Sequence, residues 1–160
     1  MSEIKQNKSR KIIRIVIYSL IFIIVIIQFI PVDRTNQPVK NEPKWDSPNT
    51  KEFAVRACYD CHSNKTRWPL YSYIAPLSWI IAGHVKGGRE VLNFSEYIVG
   101  VSEGDEAAEV VEKGIMPLNS YLIFHPDANL TEKEKVEFVK GLVATFGRKE
   151  KKDKDSGSTY

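Results

Sequence analysis

Five consecutive residues, Cys58-Tyr59-Asp60-Cys61-His62, constrain this chain more than any other feature. They hold both of its cysteines, and two thiols three positions apart sit about one helical turn from each other. This is the C-x-x-C-H spacing of covalent haem attachment. Each thiol can form a thioether to a porphyrin vinyl group, and the adjacent imidazole can then bind the iron. Three other readings compete. A disulfide suits an oxidising compartment, but two intervening residues make a strained loop. A thioredoxin-like redox pair requires a βαβ context that the surrounding sequence lacks. A zinc site needs more ligands than these three side chains supply. One covalently bound haem of the c type is therefore the expected cofactor.

The rest of the chain divides by composition. Residues 15–30 (IVIYSLIFIIVIIQFI) carry no charge and are closed by Pro31. The run is slightly short of the roughly 20 helical residues that a bilayer core requires. Ile12 and Ile13 extend it, and the Lys11 and Arg14 stems can snorkel toward headgroups. Nothing downstream is apolar enough to wrap a segment that is hydrophobic on every side. Residues 15–31 are thus expected to be a transmembrane anchor. It should be uncleaved, since no alanine or glycine precedes Ala54 to provide a signal-peptidase site.

Charge gives the orientation. Residues 1–14 hold five basic groups against Glu3, whereas residues 15–160 hold 18 basic and 19 acidic groups. The net charge of +3 therefore belongs to a short flank, which is expected on the cytoplasmic side with the remainder outside. Without a basic stripe on the folded part, nucleic acid is not an expected partner. Residues 32–47 read as a proline-rich linker, either extended or lying against the domain, and 147–160 as a charged, flexible tail.

Between 48 and 146 the pattern is helical pieces joined by Pro and Gly loops, with no insistent strand, so the expected fold class is all-α. Ser47-Pro48 signals a helix start. Pro76 opens a second helix whose Leu77, Ile80, Ile81, His84 and Val85 share one face until Gly87-Gly88 weakens it. Ser102 with Asp105 resembles a capping box for a short helix ended by Gly114. Thr131 with Glu134 is a better one, and the helix it opens carries Val136, Val139, Leu142, Val143 and Phe146 on one face. A domain of this size with so little apolar patterning gains from an apolar group at its centre.

With His62 as the proximal ligand, the sixth iron position decides the chemistry. Met116, in Gly114-Ile115-Met116-Pro117 directly after a short helix, is the expected ligand, and His84 is the alternative. His125, before Pro126, reads as a turn or surface residue. The haem propionates need donors. Among Lys65, Arg67, Trp68, Tyr71, Tyr73 and Arg89, the favoured pair is Arg67 and Trp68, a guanidinium fork beside an indole N–H.

The stretch CYDCHSNKTRWPLYSYIAPLSWIIAGHVKGGREVLNFSEY resembles the haem-binding-domain family of small bacterial envelope proteins. The similarity begins at the apolar segment with PVDRTNQPV and continues through GIMPLNSYLIFHPDANLTEKEK. Tyr97 stands after NFSE where a tryptophan is common in the family. The resemblance implies a single-haem, cytochrome c-like helical domain behind an N-terminal membrane anchor, with Cys58, Cys61 and His62 carrying the haem.

The function expected from these features is one-electron transfer by a membrane-tethered monohaem cytochrome on the outer face of the cytoplasmic membrane. Its partners would be membrane or periplasmic redox proteins. The alternative is a haem enzyme or sensor whose open sixth site takes peroxide or a diatomic gas. No acid–base constellation surrounds Met116, so a carrier is favoured over an enzyme and no catalytic residue is assigned.

Overall fold

The structure, a computed structural model, describes residues 2–148, with side chains from residue 7 onward. The Lys5 side chain of the basic flank and all but the first two residues of the expected charged tail lie outside the described residues. The described part is helical, with a single isolated bridge, Asn41 to Glu96, and no strand. Its helices are α1 (Ser2–Ile27), α2 (Pro48–Ala57), α3 (Tyr59–His62), α4 (Leu77–Val91), α5 (Ala107–Glu112), α6 (Asn119–Leu122) and α7 (Glu132–Phe146). Short 3-10 turns occupy Leu70–Tyr73, Gly104–Glu106 and Pro126–Ala128. The all-α class holds.

The chain forms two compact units, each discontinuous in sequence. The first comprises Met1–Thr35 with Trp68–His84, and the second Asn36–Arg67 with Val85–Tyr160.

In the first unit, α1 corrects the expectation of a transmembrane helix. Its uncharged part, 15–27, is thirteen residues, about 20 Å at 1.5 Å per residue, against a hydrocarbon core of about 30 Å. Arg10, Lys11 and Arg14 occupy the turns before it. Gln28, Phe29 and Ile30 leave the α-helical register and donate instead to the carbonyls three residues back. Among the described residues no helix is long and apolar enough to cross a membrane.

The second unit is built on α2, α5 and α7. Ser47 caps α2 as its sequence predicts, with Oγ accepting from the Thr50 N–H at 3.2 Å. The Thr131–Glu134 capping box forms in both directions and starts α7. The α2 and α7 axes approach closely at Gly141, where an added Cβ would lie 1.9 Å from Thr50 Oγ1. Phe53 meets Phe138 edge-on at 5.9 Å, and Arg56 pairs with Glu134 at 2.7 Å across the same contact.

Two local readings change. Ser102 and Asp105 do not form a capping box. The Ser102 Oγ accepts from Ile98 N–H instead, and α5 grows out of the Gly104–Glu106 turn without a side-chain cap. The buried residues of α7 are Phe138, Gly141 and Leu142, while Val136 is exposed, because Gly141 sets which stripe can touch α2.

The proline-rich segment lies against the second unit from residue 36 onward. Lys40 and Asn41 N–H both donate to the Ser95 carbonyl, Tyr97 N–H donates to Asn41 O, and the Asn41 side-chain amide donates to Tyr97 O. Trp45 adds a ring contact to Phe94 at 5.2 Å and another to Phe146 at 5.5 Å. Extended backbone with prolines cannot pair with itself, so it takes its hydrogen bonds from the neighbouring loop.

Candidate functional site

The C-x-x-C-H residues form one tight turn. Cys58 ends α2 and starts α3, and its carbonyl accepts from both Cys61 N–H at 3.1 Å and His62 N–H at 2.9 Å. The two cysteines are not joined in a disulfide. Burial pushes the Cys58 thiol up to about 12 and the Cys61 thiol up to about 11. Both therefore stay protonated at neutral pH. Among the described residues, no three His, Cys, Asp or Glu side chains come together in a way that could hold a metal ion.

His62 is fixed from behind. Its Nδ1 lies 3.0 Å from the Leu92 carbonyl. A carbonyl only accepts, so Nδ1 carries the proton and Nε2 keeps its lone pair, the arrangement a metal-binding histidine needs. Burial holds the imidazole below its usual range and so favours the neutral ring. Leu92 is held in turn, since Phe94 N–H donates back to His62 O at 2.8 Å. Phe94 is itself almost fully buried, stacked between Tyr59 and Phe146.

Cys58, His62 and Met116 line one cavity. Val110, Val111, Leu142, Val91, Leu92 and Phe94 make most of the remaining wall, and Glu103 and Glu106 are the acidic groups on it. The cavity measures about 130 Å3, and the empty space at it, open solvent included, about 670 Å3. Met116 reaches the wall because the Val110 carbonyl at the end of α5 accepts from both Ile115 and Met116 N–H. A nearly all-apolar wall carrying a thiol, an imidazole with a free Nε2 and a thioether fits a haem. It would suit neither a sugar nor a nucleotide, which need many more polar contacts.

The other expected site residues are not on this wall. Cys61 lies one turn on from Cys58, half-buried, and is not among the lining residues. His84 is exposed on the part of α4 that belongs to the first unit. Trp68 also belongs to the first unit, where its Nε1 is buried without an acceptor among the described residues.

Arg67 turns to a different anion. Its backbone N–H donates to Asp60 Oδ1 at 2.9 Å, and its Nε and Nη2 donate to Oδ1 and Oδ2 at 3.2 and 3.1 Å. A buried carboxylate between the two cysteines must be paired, and Arg67 is the nearest fork of donors. Sequence reading missed this role because Asp60 reads as one of the two variable positions of the motif.

Tyr121 completes the Asp60 cluster by donating its hydroxyl to Oδ2 at 2.7 Å. Burial first, and then the Asp60 carboxylate, push that hydroxyl above its usual range. The bond ties the Met116–His125 segment to the haem motif. A hydrogen bond to a charged group contributes about 1.5–3 kcal/mol. Tyr121→Phe is expected to lower the unfolding free energy by that amount in urea titration, with an unchanged slope. A loss below about 0.5 kcal/mol, the range of ordinary surface changes, would show that the bond does not hold the segment in solution.

The haem-binding-domain family matches residues 22–144, which is more than half of the chain and includes every residue of the cavity wall. No curated protein matches the chain, and neither does any solved structure. The wall supplies the chemistry that such a match implies, and the chain belongs to the haem-binding-domain family.

Proposed function

We propose that this protein is a monohaem c-type cytochrome that carries single electrons at the outer face of the cytoplasmic membrane. The observation that supports this most is the convergence of Cys58, His62 and Met116 on one apolar cavity. Haem bound there supplies a one-electron couple. Everything else is done by the chain. Cys58 and Cys61 present protonated thiols for thioether bonds one turn apart. The Leu92 carbonyl orients His62 and leaves Nε2 as its ligating nitrogen. Met116 offers a soft thioether, a ligand type that opposite histidine favours the reduced state and electron transfer. The wall is otherwise apolar, and Glu103 and Glu106 are its acidic groups.

Attachment to the membrane through α1 is part of the same proposal. The side chains of α1 are exposed around its whole circumference from Ile12 onward, an apolar surface that water does not tolerate at this size. Tethering of this kind raises the effective concentration of a carrier near membrane redox partners, for which a weak interface then suffices.

Absorption spectra test the electron-carrier reading. The oxidised wild type is expected to be low-spin with a weak sulfur-to-iron band in the far red, and Met116→Ala is expected to lose that band. A high-spin wild type would point instead to an open sixth site and a gas or peroxide function. A low-spin spectrum that collapses in His84→Ala would assign the ligand to His84.

A further inference from the structure

The two longest runs without Lys, Arg, Asp or Glu are 15–32 and 68–85, in a chain that is 27% charged overall. Apart from Val85, both lie in the same compact unit. The first is the apolar part of α1 together with residues 28–32. The second contains the Leu70–Tyr73 turn and the first half of α4.

The structure ties the second run to the end of the first. The Gln28 side chain accepts from Ala75 N–H at 3.0 Å and donates to Ala75 O at 3.3 Å, so one amide satisfies both backbone groups of that residue. Arg34 donates from Nε and Nη2 to Ser72 O at 3.0 and 2.6 Å, and its guanidinium lies 4.4 Å from the centre of the Tyr73 ring. Ser72 is fully buried at this junction. The large apolar side chains around it are not. Leu70 is 88% exposed, Ile74 57% and Ile80 53%. Of the five residues that the periodicity of α4 puts on one face, Leu77, Ile80 and His84 are exposed, Ile81 is half-buried and Val85 alone is buried, so most of the expected core face is an outer one.

We infer that segment 70–80 is a second lipid-contacting element, which lies in the membrane interface beside the end of α1. This rests on the membrane reading proposed above and deepens it. Continuity identifies the occupant. The segment is hydrogen-bonded to the end of an apolar helix that itself needs lipid around it, and it carries no charge that would need water. The composition matches the headgroup level, where Tyr73 and Trp79 present amphipathic rings and Arg34 can reach phosphates. The inference also addresses the shortness of α1. Thirteen uncharged helical residues are a shallow anchor, and a second apolar element at its end adds buried area without lengthening the helix.

Photo-crosslinking of the full-length haem-loaded protein in vesicles of phosphatidylethanolamine and phosphatidylglycerol tests this. p-Benzoylphenylalanine replaces Leu70, Ile74 or Ile80 one at a time, with Phe22 in α1 as the lipid reference and Val136, similarly exposed on α7, as background. All five positions are exposed, so the probe displaces no packed side chain. Lipid adducts at two or more of Leu70, Ile74 and Ile80, at yields comparable to Phe22 and several-fold above Val136, are the expected result. Adducts at Phe22 with only background at the three positions would overturn the inference and leave the anchor standing. Background at Phe22 as well would overturn both. Crosslinks from the three positions to a second copy of the chain in place of lipid would also overturn it.

Discussion

Replacing Cys58 and Cys61 together by alanine is expected to abolish haem on the denatured polypeptide, while the wild type retains it. Denaturing electrophoresis with a haem stain reads this directly, because only a thioether bond survives unfolding. The expectation rests on the two thiols being protonated, unpaired and one turn apart, with Cys58 on the wall of the apolar cavity. A thiol adds to a vinyl group with sulfur bonding one carbon and hydrogen the other, so no oxidant is consumed. His62→Ala is expected to behave differently in kind. It leaves both thiols in place but removes the ligand that Leu92 orients, so the low-spin spectrum should disappear along with most of the stable holoprotein. Haem stain that persists in the double alanine variant would sink the covalent reading. A wild type that binds haem but releases it on denaturation would sink it as well, while keeping the chain a haem binder. Alanine is the cleaner substitution, since a serine hydroxyl at half-buried Cys58 would put a polar group on the apolar wall.

What the sequence made legible is what local chemistry decides. Ser47, and Thr131 with Glu134, cap helices through bonds that span only three residues, so their spacing is sufficient to predict them. The C-x-x-C-H turn is equally local. The groups that position the site come from far along the chain. The Leu92 carbonyl that orients His62 is 30 residues away and is a backbone atom, which no residue type announces. Tyr121 reaches Asp60 across 61 residues. A guanidinium near a haem motif suggests a propionate donor, yet the anion that Arg67 finds is Asp60. The α4 pattern shows a further limit. Periodicity correctly marks Leu77, Ile80 and His84 as one stripe but cannot say whether protein or another phase covers it. For α1, hydropathy along the chain spans 15–30, whereas the helix stops at Ile27, three residues short of that run's end.

Gly87 and Gly88, adjacent in α4, are expected to respond to alanine in opposite directions. Intrinsic propensity treats them alike, and each glycine in a helix interior costs about 0.5–1 kcal/mol relative to alanine. At Gly87 nothing lies within 4 Å of an added Cβ, so Gly87→Ala is expected to gain about that amount. At Gly88 the Cβ would fall 2.6 Å from the Cys61 carbonyl oxygen, 3.1 Å from its carbon and 3.2 Å from its Cβ. Two of these atoms are backbone and cannot rotate away, so α4 must back off from the haem turn. Overpacking of this kind costs about 1–3 kcal/mol, which outweighs the propensity gain. The displacement also propagates. Leu92 N–H donates to Gly88 O at 2.9 Å, and the Leu92 carbonyl is the partner of His62, so moving Gly88 disturbs the hydrogen bond that sets the ligating nitrogen. Gly88→Ala should therefore unfold several degrees below the wild type and give a lower yield of low-spin holoprotein, whereas Gly87→Ala should unfold slightly above it. Equal stability and haem content in the two variants would show that α4 does not hold the close approach to Cys61 in solution. A selective loss in Gly88→Ala would make this glycine, which sequence alone marks as a weak point in its helix, the contact that lets α4 close against the haem motif.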